Sequence, residues 1–376
     1  MKLYDYTGFI HFHSSLSFDG HSPIEDILRA AEKNGIDFLM LTDHDHLKAR
    51  EEGWEGWQKK TLVLVGEEIA PRFNHFLAFN IQEPVICSGD PEGINPQKYI
   101  DEVNRQGGFG FIAHPDHEGT KLFHVKHYSW NNWNVGDFAG IGVWDFMTDW
   151  QKSLHGYGSA LLSFLFPALV LKGPRRITLE RWDALNQIRK TVGIGELDNH
   201  ATVKKLLGIR FVAFPFHRAF AFIRTHVLTK TGFTGNNQQD IAMLYESLLH
   251  GRCYFALEYF RRAKGFQFAV EQDQKVFHMG DSLPLSLSGN AQLSVSCPAK
   301  ARIRVIRDGR EECRAIGNRS ICCARLIVPC IRPRTPGAIA TSFLPAVLQH
   351  SNAASQPPDP LRDRCRSSRS RRSLPK

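Results

Sequence analysis

Apolar positions along residues 1–260 alternate between short strand-like runs and longer stretches of helical period. That alternation predicts a parallel α/β architecture. Strands are predicted at Gly8–His13, Ile36–Leu41, Leu62–Ile69, Phe76–Asn80, Phe109–Ala113, Gly140–Trp144, Val192–Leu197 and Ile223–Leu228. A helix is predicted over Pro23–Lys33, with Ser22 as its N-cap and Pro23 in its first turn. Further helices are expected over Pro96–Arg105, Ala160–Leu171, Leu179–Arg189 and Gln238–His250. From Gly265 to Asp308 the pattern shortens to alternating segments such as Gln292–Ser296 and Ala301–Ile306, a small β-rich appendage. Beyond Cys313 the periodicity stops, and the Pro-, Arg- and Ser-rich stretches that follow are expected to be disordered. The expected organisation is a barrel over 1–260, an incomplete-looking β-rich appendage over 261–312 and a basic tail over 313–376. That tail is either a real flexible extension or the product of a shifted reading frame.

Composition narrows the picture. The chain has 376 residues, 42% hydrophobic and 23% charged, which excludes a wholly disordered or fibrous protein. The longest apolar stretch, Ala160–Leu171, is interrupted by Pro167 and is too short to cross a bilayer. It is expected to be a buried helix or a dimer face, with no membrane contact. The first residues lack the basic and apolar regions of a signal peptide, so a cytoplasmic location is expected. The net charge is +9, yet residues 313–376 alone carry +10, leaving −1 for the body. A non-catalytic nucleic-acid-binding protein acting through the tail is therefore one alternative reading.

The histidines carry more information than the charge. His11 and His13 end the first predicted strand, Asp43-His44-Asp45 follows the second, and Glu67-Glu68 ends the third. His114 follows the Phe109–Ala113 strand, and Asp198 and His200 follow Val192–Leu197. In a (β/α) barrel such strand ends converge on one mouth. Residues at i and i+2 of a strand share a face, so His11 and His13 can grip one ion together. Imidazole and carboxylate donors together suit Zn, Mn or Fe. Buried without a metal, so many charges would be very costly.

In order along the chain stand His11-Phe12-His13, Ser17-Phe18-Asp19-Gly20, Thr42-Asp43-His44-Asp45, Gly66-Glu67-Glu68-Ile69, Asn74-His75-Phe76-Leu77, Ala113-His114-Pro115 and Asp198-Asn199-His200. This series resembles the polymerase and histidinol phosphatase (PHP) superfamily. Phe214-Pro215-Phe216, Arg224-Thr225-His226-Val227 and Gly251-Arg252-Cys253-Tyr254 look like its carbaryl-hydrolase branch. The resemblance implies an α/β fold, a distorted TIM-like (β/α)7 barrel, with two or three divalent metal ions. It implies a first ion on His11, His13, Glu68 and Asp198, with Glu68 bridging to a second on His75 and His114. Asp19, His44 and His200 would hold a third. Glu68 is preferred to Glu67 because the family places its glutamate two residues after the glycine, and strand alternation would then turn Glu67 away. Glu196-Leu197 departs from the family's small residues before the aspartate, and His21 competes with Asp19 for its role.

The chemistry implied is hydrolysis by water activated on clustered ions, most readily of phosphoesters and alternatively of carbamates or amides. The expected partner is a small-molecule phosphoester or carbamate, with a nucleotide as one option. Asp43 and His226 are the candidates for donating a proton to the leaving group. Trp130, Trp133, Trp144 and Trp150 are read as packing rather than as a substrate loop, and Arg72 and Arg218 as surface groups rather than phosphate ligands.

Overall fold

A computed structural model describes residues 3–87, 95–206, 209–284 and 291–324, with the backbone of 340–342 and 347–348. Nine strands build the main sheet: β1 (Tyr4–Ile10), β2 (Phe38–His44), β3 (Thr61–Ile69), β4 (Phe76–Phe79), β5 (Phe109–Ile112), β6 (Gly140–Asp145), β7 (Val192–Glu196), β8 (Ile223–Thr229) and β9 (Cys253–Leu257). Their order is β9-β8-β1-β2-β3-β4-β5-β6-β7, with Gly56–Gln58 added beside β3 and Val347–Leu348 beside β9. β4 runs antiparallel to both neighbours, and β8 antiparallel to β1, whereas the β1-β2, β2-β3, β5-β6 and β6-β7 pairs are parallel. The sheet curls until the end of β7 meets the end of β1. There Leu197 N donates to Ile10 O (3.1 Å) and Asp198 N to His11 O (2.7 Å). The fold is thus the expected α/β, nearly closed barrel, but with a mixed sheet where a parallel one was expected, because β4 and β8 run antiparallel.

Alternation along the strands sorts side chains into two layers. Ile10, Phe38, Met40, Leu62, Leu64, Phe111 and Ile194 fill the barrel interior, joined by Leu244, Tyr245 and Leu248 from helix Asn237–Leu249. Phe9, Leu39, Leu41, Val63, Val65 and Ile141 face the surrounding helices. Burying each such side chain contributes roughly 1.5–3 kcal/mol before entropy is counted. Helix Ile24–Asn34 turns Ile24, Ile27, Ala30 and Ala31 inward and stops at Gly35, whose φ of 64° a residue with a side chain rarely adopts. Ser22 does not cap it: Pro23 holds the N-cap position, and the Ser22 carbonyl accepts from Ser15 N. Helix Pro96–Arg105 matches the expectation, with the Asn95 side chain accepting from Gln97 N at 3.1 Å.

The apolar stretch from Ala160 differs from expectation. It forms two helices, Tyr157–Leu165 and Pro167–Val170, broken at Phe166 because Pro167 has no N–H to continue the first. Much of it is exposed rather than buried. Trp130, Trp144 and Trp150 are buried, as packing requires. The appendage is an antiparallel sheet of Gln267–Gln272, Lys275–His278, Ala291–Arg307 and Arg310–Ala324. The two expected segments at 292–296 and 301–306 are one strand with a register shift between Ser296 and Ala301. Its partner strand runs past Cys313 to Ala324, so the break in pattern at 313 is not the end of the sheet. Apart from the short pieces at 340–342 and 347–348, the remainder of the expected tail lies outside the described residues.

Candidate metal centre

The mouth is built by chain reversals. Ile10 points into the barrel, so plain alternation would turn His11 outward. Instead His11 takes a φ of 66°, the strand alternation slips, and both His11 and His13 enter the mouth while Phe12 packs outside. Asn74, His114 and Asp198 also have positive φ (64°, 25° and 47°), each beside or at a site residue. Such conformations cost of order 1–3 kcal/mol each and persist where the surroundings fix them. His75 reaches the mouth from the start of β4, because in an antiparallel strand that is the end lying there. On β3, Glu68 shares the parity of Leu62 and Leu64 and faces inward, while Glu67 faces out and accepts from Val85 N at 2.7 Å.

These residues form three overlapping groups: His11, His13, Glu68 and Asp198; Glu68, His75 and His114; and His13, Asp19, His44 and His200. Glu68 is the hub. Its Oε2 lies 3.0 Å from His11 Nε2 and 3.2 Å from His13 Nε2, and its Oε1 2.8 Å from His75 Nδ1 and 3.1 Å from His114 Nε2. Asp198 Oδ1 lies 3.3 Å from His11 Nε2 and 3.5 Å from His13 Nε2. Asp19 Oδ2 sits between His44 Nε2 (3.3 Å) and His200 Nε2 (3.2 Å). All nine residues singled out from the sequence are therefore brought together.

Electrostatics and unmet bonding point the same way. Burial alone would raise Glu68 and Asp198, yet the imidazoles around them hold both carboxyls below the ordinary range, led by His11 in each case. Burial opposes charging His44 and His114, but Glu68 pushes each up to about 9. His13 and His75 are pushed down by burial. Nδ1 of His13, His44 and His114 and Nε2 of His13 are buried without an aligned hydrogen bond, His13 Nε2 and His44 Nδ1 lying only within ion-pair distance of the carboxylates. Orphaned nitrogens of this kind require an explanation. The carboxylates demand positive charge beside them, and His13 and His75, held toward the neutral form by burial, offer lone pairs; a divalent cation meets both needs, so the donor set fits one.

Two further candidates fall elsewhere. Asp43, buried at the end of β2, accepts from Ser14 N (2.6 Å) and Ser14 Oγ (2.7 Å), so both its oxygens hold the turn after His13 rather than face the mouth. His226 lies beside Thr7, toward the far end of β1, with Nδ1 2.7 Å from Asp5 Oδ1 and Nε2 3.1 Å from Glu258 Oε1. Its strand is antiparallel, so the end that carries it points away from the mouth. His21 joins none of the three groups. Arg72 donates to the His127 carbonyl, and Arg218 to the carbonyls of Phe164 and Leu165.

Glu196 is a site residue that sequence reasoning noted only as a departure. Its Oε1 lies 3.2 Å from His11 Nδ1 and its Oε2 accepts from His114 N at 2.9 Å. A Cβ on Gly142 would sit 1.6 Å from Glu196 Oε2, so this carboxylate needs glycine on the neighbouring strand. Parity offered a signal: Glu196 shares the inward face of Val192 and Ile194.

Residues 10–111 match the PHP domain family. An uncharacterised protein of Methanocaldococcus jannaschii is 26% identical over 124 residues, 27% of this chain and 66% of that protein. The match thus spans just under two thirds of that relative's length. Among solved structures, a two-domain protein from Bacteroides vulgatus containing a predicted PHP-like metal-dependent phosphoesterase aligns over 84% of this chain and 86% of its own. Its sequence identity is 15% and the TM-score 0.40. PsfC from Pseudomonas syringae aligns over 63% of this chain and 87% of its own, with 15% identity and a TM-score of 0.37.

Proposed function

We propose that the chain is a metal-dependent phosphoester hydrolase whose mouth holds two or three divalent ions. The observation that carries this reading is Glu68, a buried carboxylate shared by two donor groups among imidazoles with unmet lone pairs. His11, His13, Glu68 and Asp198 would hold one ion, Glu68, His75 and His114 a second, and Asp19, His44 and His200 a third. When bound, such ions acidify water toward pKa about 7 and neutralise charge building on a phosphoryl oxygen. Glu196 fixes the His11 ring by accepting at Nδ1, leaving Nε2 for the ion. Asp43 ties down Ser14 and so holds His13 in place. Catalysis is assigned to the barrel at 1–260, with the appendage bracing its far side.

The test is hydrolysis of 4-nitrophenyl phosphate and a matched 4-nitrophenyl carbamate by Mn- or Zn-loaded protein, with Asp198→Asn as control. Phosphate cleavage that the control abolishes supports the proposal. Cleavage of the carbamate alone would move the activity to carbamate or amide bonds on the same ions. Hydrolysis of neither by metal-loaded protein would count against both model substrates and direct the search to nucleotides.

A further inference from the structure

The segment between β6 and helix Arg176–Ile188 carries apolar side chains that the barrel does not use. Its two short helices are gripped from one side. Trp150 Nε1 donates to the Ser163 carbonyl at 3.1 Å, Arg218 donates to the carbonyls of Phe164 and Leu165, and the Phe164 ring meets Phe211 and Phe214. Ser163, Pro167 and Ala168 are buried beneath. The other side presents Tyr157, Leu161, Leu162, Leu165, Phe166 and Leu169, each between 52% and 73% exposed. Within the first helix the spacing 157, 161, 165 is one row along a face, and Phe166 and Leu169 follow across the break at Pro167.

The segments that build this patch are themselves free of acidic residues. Residues 151–179 contain Lys152, Lys172, Arg175 and Arg176 and no Asp or Glu. The adjoining hairpin, Val203–Leu206 with Ile209–Val212, touches the helix through the Phe211–Phe164 contact. It adds the exposed Val203 and the cations Lys204 and Arg210, and residues 199–239 again contain no Asp or Glu. Acids from outside these stretches also meet them: Arg175 pairs with Glu118 and Arg176 with Glu180, and Lys152 lies near Asp149, Glu118 and Asp116, so the cationic excess is partial. Both arms spring from the mouth: one leaves the end of β6, and the other follows Asp198 and His200, with Asn199 Nδ2 bonded to the Phe214 carbonyl at 3.0 Å.

From these features we infer that this face is a docking surface for an anionic lipid bilayer, which holds the barrel mouth against the membrane. Leucine and phenylalanine side chains enter the boundary between headgroups and acyl chains, and the flanking Lys and Arg meet anionic headgroups. The contact is peripheral, since no helix among the described residues is long and apolar enough to span. A second copy is a poorer occupant: a two-fold contact would set the same cationic rim against itself. If the mouth is the phosphoesterase site, its substrate is a phosphoester presented at the membrane surface; that step, unlike the docking, rests on the function proposed above.

The experiment is flotation of the full chain with vesicles of phosphatidylcholine enriched in phosphatidylglycerol and with phosphatidylcholine alone. Binding to the anionic vesicles is expected, with a loss of about tenfold or more in Leu161→Asp/Leu165→Asp. A smaller loss is expected in Arg176→Glu, whose side chain is largely exposed. Hydrolysis of soluble 4-nitrophenyl phosphate by these variants should equal the parent's, which also shows that they fold. No flotation of the parent, or equal flotation of parent and double variant, overturns the inference. So does a doubled mass in solution that the double variant halves, since the patch would then belong to a dimer. Flotation without hydrolysis of any phosphoester sustains docking and removes the phosphoesterase reading instead.

Discussion

Two buried clusters of histidine and carboxylate lie at opposite ends of β1, and they are built on opposite terms. Toward the start of the strand, His226 has both ring nitrogens partnered, by Asp5 and Glu258. Asp5 also accepts from Tyr254 Oη (2.8 Å) and Gly265 N (2.7 Å), and Glu258 lies 3.1 Å from Arg262 and 3.5 Å from Arg224. Every charge there has an answer within the protein. At the mouth, nine donors converge, Glu68 is shared, and ring nitrogens of His13, His44 and His114 are left over. Density of buried histidine therefore does not identify a site. Unmet ring nitrogens converging on shared carboxylates do, because a satisfied network has nothing to give a ligand.

The sharpest break of that comparison is at Glu68. Glu68→Gln should lose bound Mn or Zn and more than about 100-fold in hydrolysis, beyond what loss of an outer partner costs. Metal content by mass spectrometry and retained secondary structure by circular dichroism check it. Full metal content with full activity would remove Glu68 as the hub.

At the other end the expected damage is to stability alone. His226→Ala leaves two buried carboxylates without their shared partner, and breaking such a network costs about 3–5 kcal/mol. Urea unfolding should show that loss, while metal bound per folded molecule stays unchanged. The pH dependence has a definite sign. Burial opposes both charges, but His226 holds Asp5 below 3.8, so that contribution is present above 3.8 and fades as pH falls. Asp5 and Glu258 raise His226 above 6.5 against burial, so its contribution is complete below 6.5 and is lost as pH climbs through the raised value. The parent minus variant difference should thus be largest between about pH 3.8 and 6.5 and shrink on both sides. A difference that grows toward pH 9 would contradict the network.

Glu196→Gln addresses the join between ion and scaffold. The His11 ring and the His114 backbone both lose their charged acceptor, so metal affinity should fall about 10–100-fold. A metal titration followed by competition with a chelator measures it, and a loss below twofold would detach Glu196 from the centre.

Eight of the nine main strands and seven of the nine mouth residues were legible because period-2 burial and the succession of strand ends are written directly in the residue types. Cys253–Leu257 was missed, and Asp19 and His75 entered only through the family resemblance, since one lies in a loop and the other before its strand. His226 was misplaced for a topological reason: a strand-end histidine reaches the mouth only if its strand is parallel, and pairing direction is not visible in one strand's sequence. The slip at His11 was hidden too, since the i, i+2 argument gave the right pair while the strand itself stops at Ile10. The Ala160–Leu171 run misled because apolarity reports a wish for burial without saying what will cover it.

The smallest expected effect comes from the residue next to the hub. Glu67 is as buried as Glu68, but strand alternation turns it out of the mouth, where Oε1 accepts from Val85 N and Oε2 has no partner. Burial pushes its carboxyl up to about 8, so at neutral pH it is already uncharged in the folded protein. Glu67→Gln replaces one neutral group by another of the same shape, and its amide oxygen can take the Val85 hydrogen bond. Metal content and hydrolysis should stay within about twofold of the parent, and stability should change by no more than about 1 kcal/mol below about pH 4.5, where Glu67 is neutral in both the folded and the unfolded chain. The sign at higher pH follows from the raised value: Glu67 takes up a proton on folding, so the parent loses stability as pH rises from 4.5 toward 8. The variant should lose less over that range. If Glu67→Gln instead releases metal as Glu68→Gln does, the inward and outward assignment on β3 is reversed, and with it the carboxylate that organises the centre.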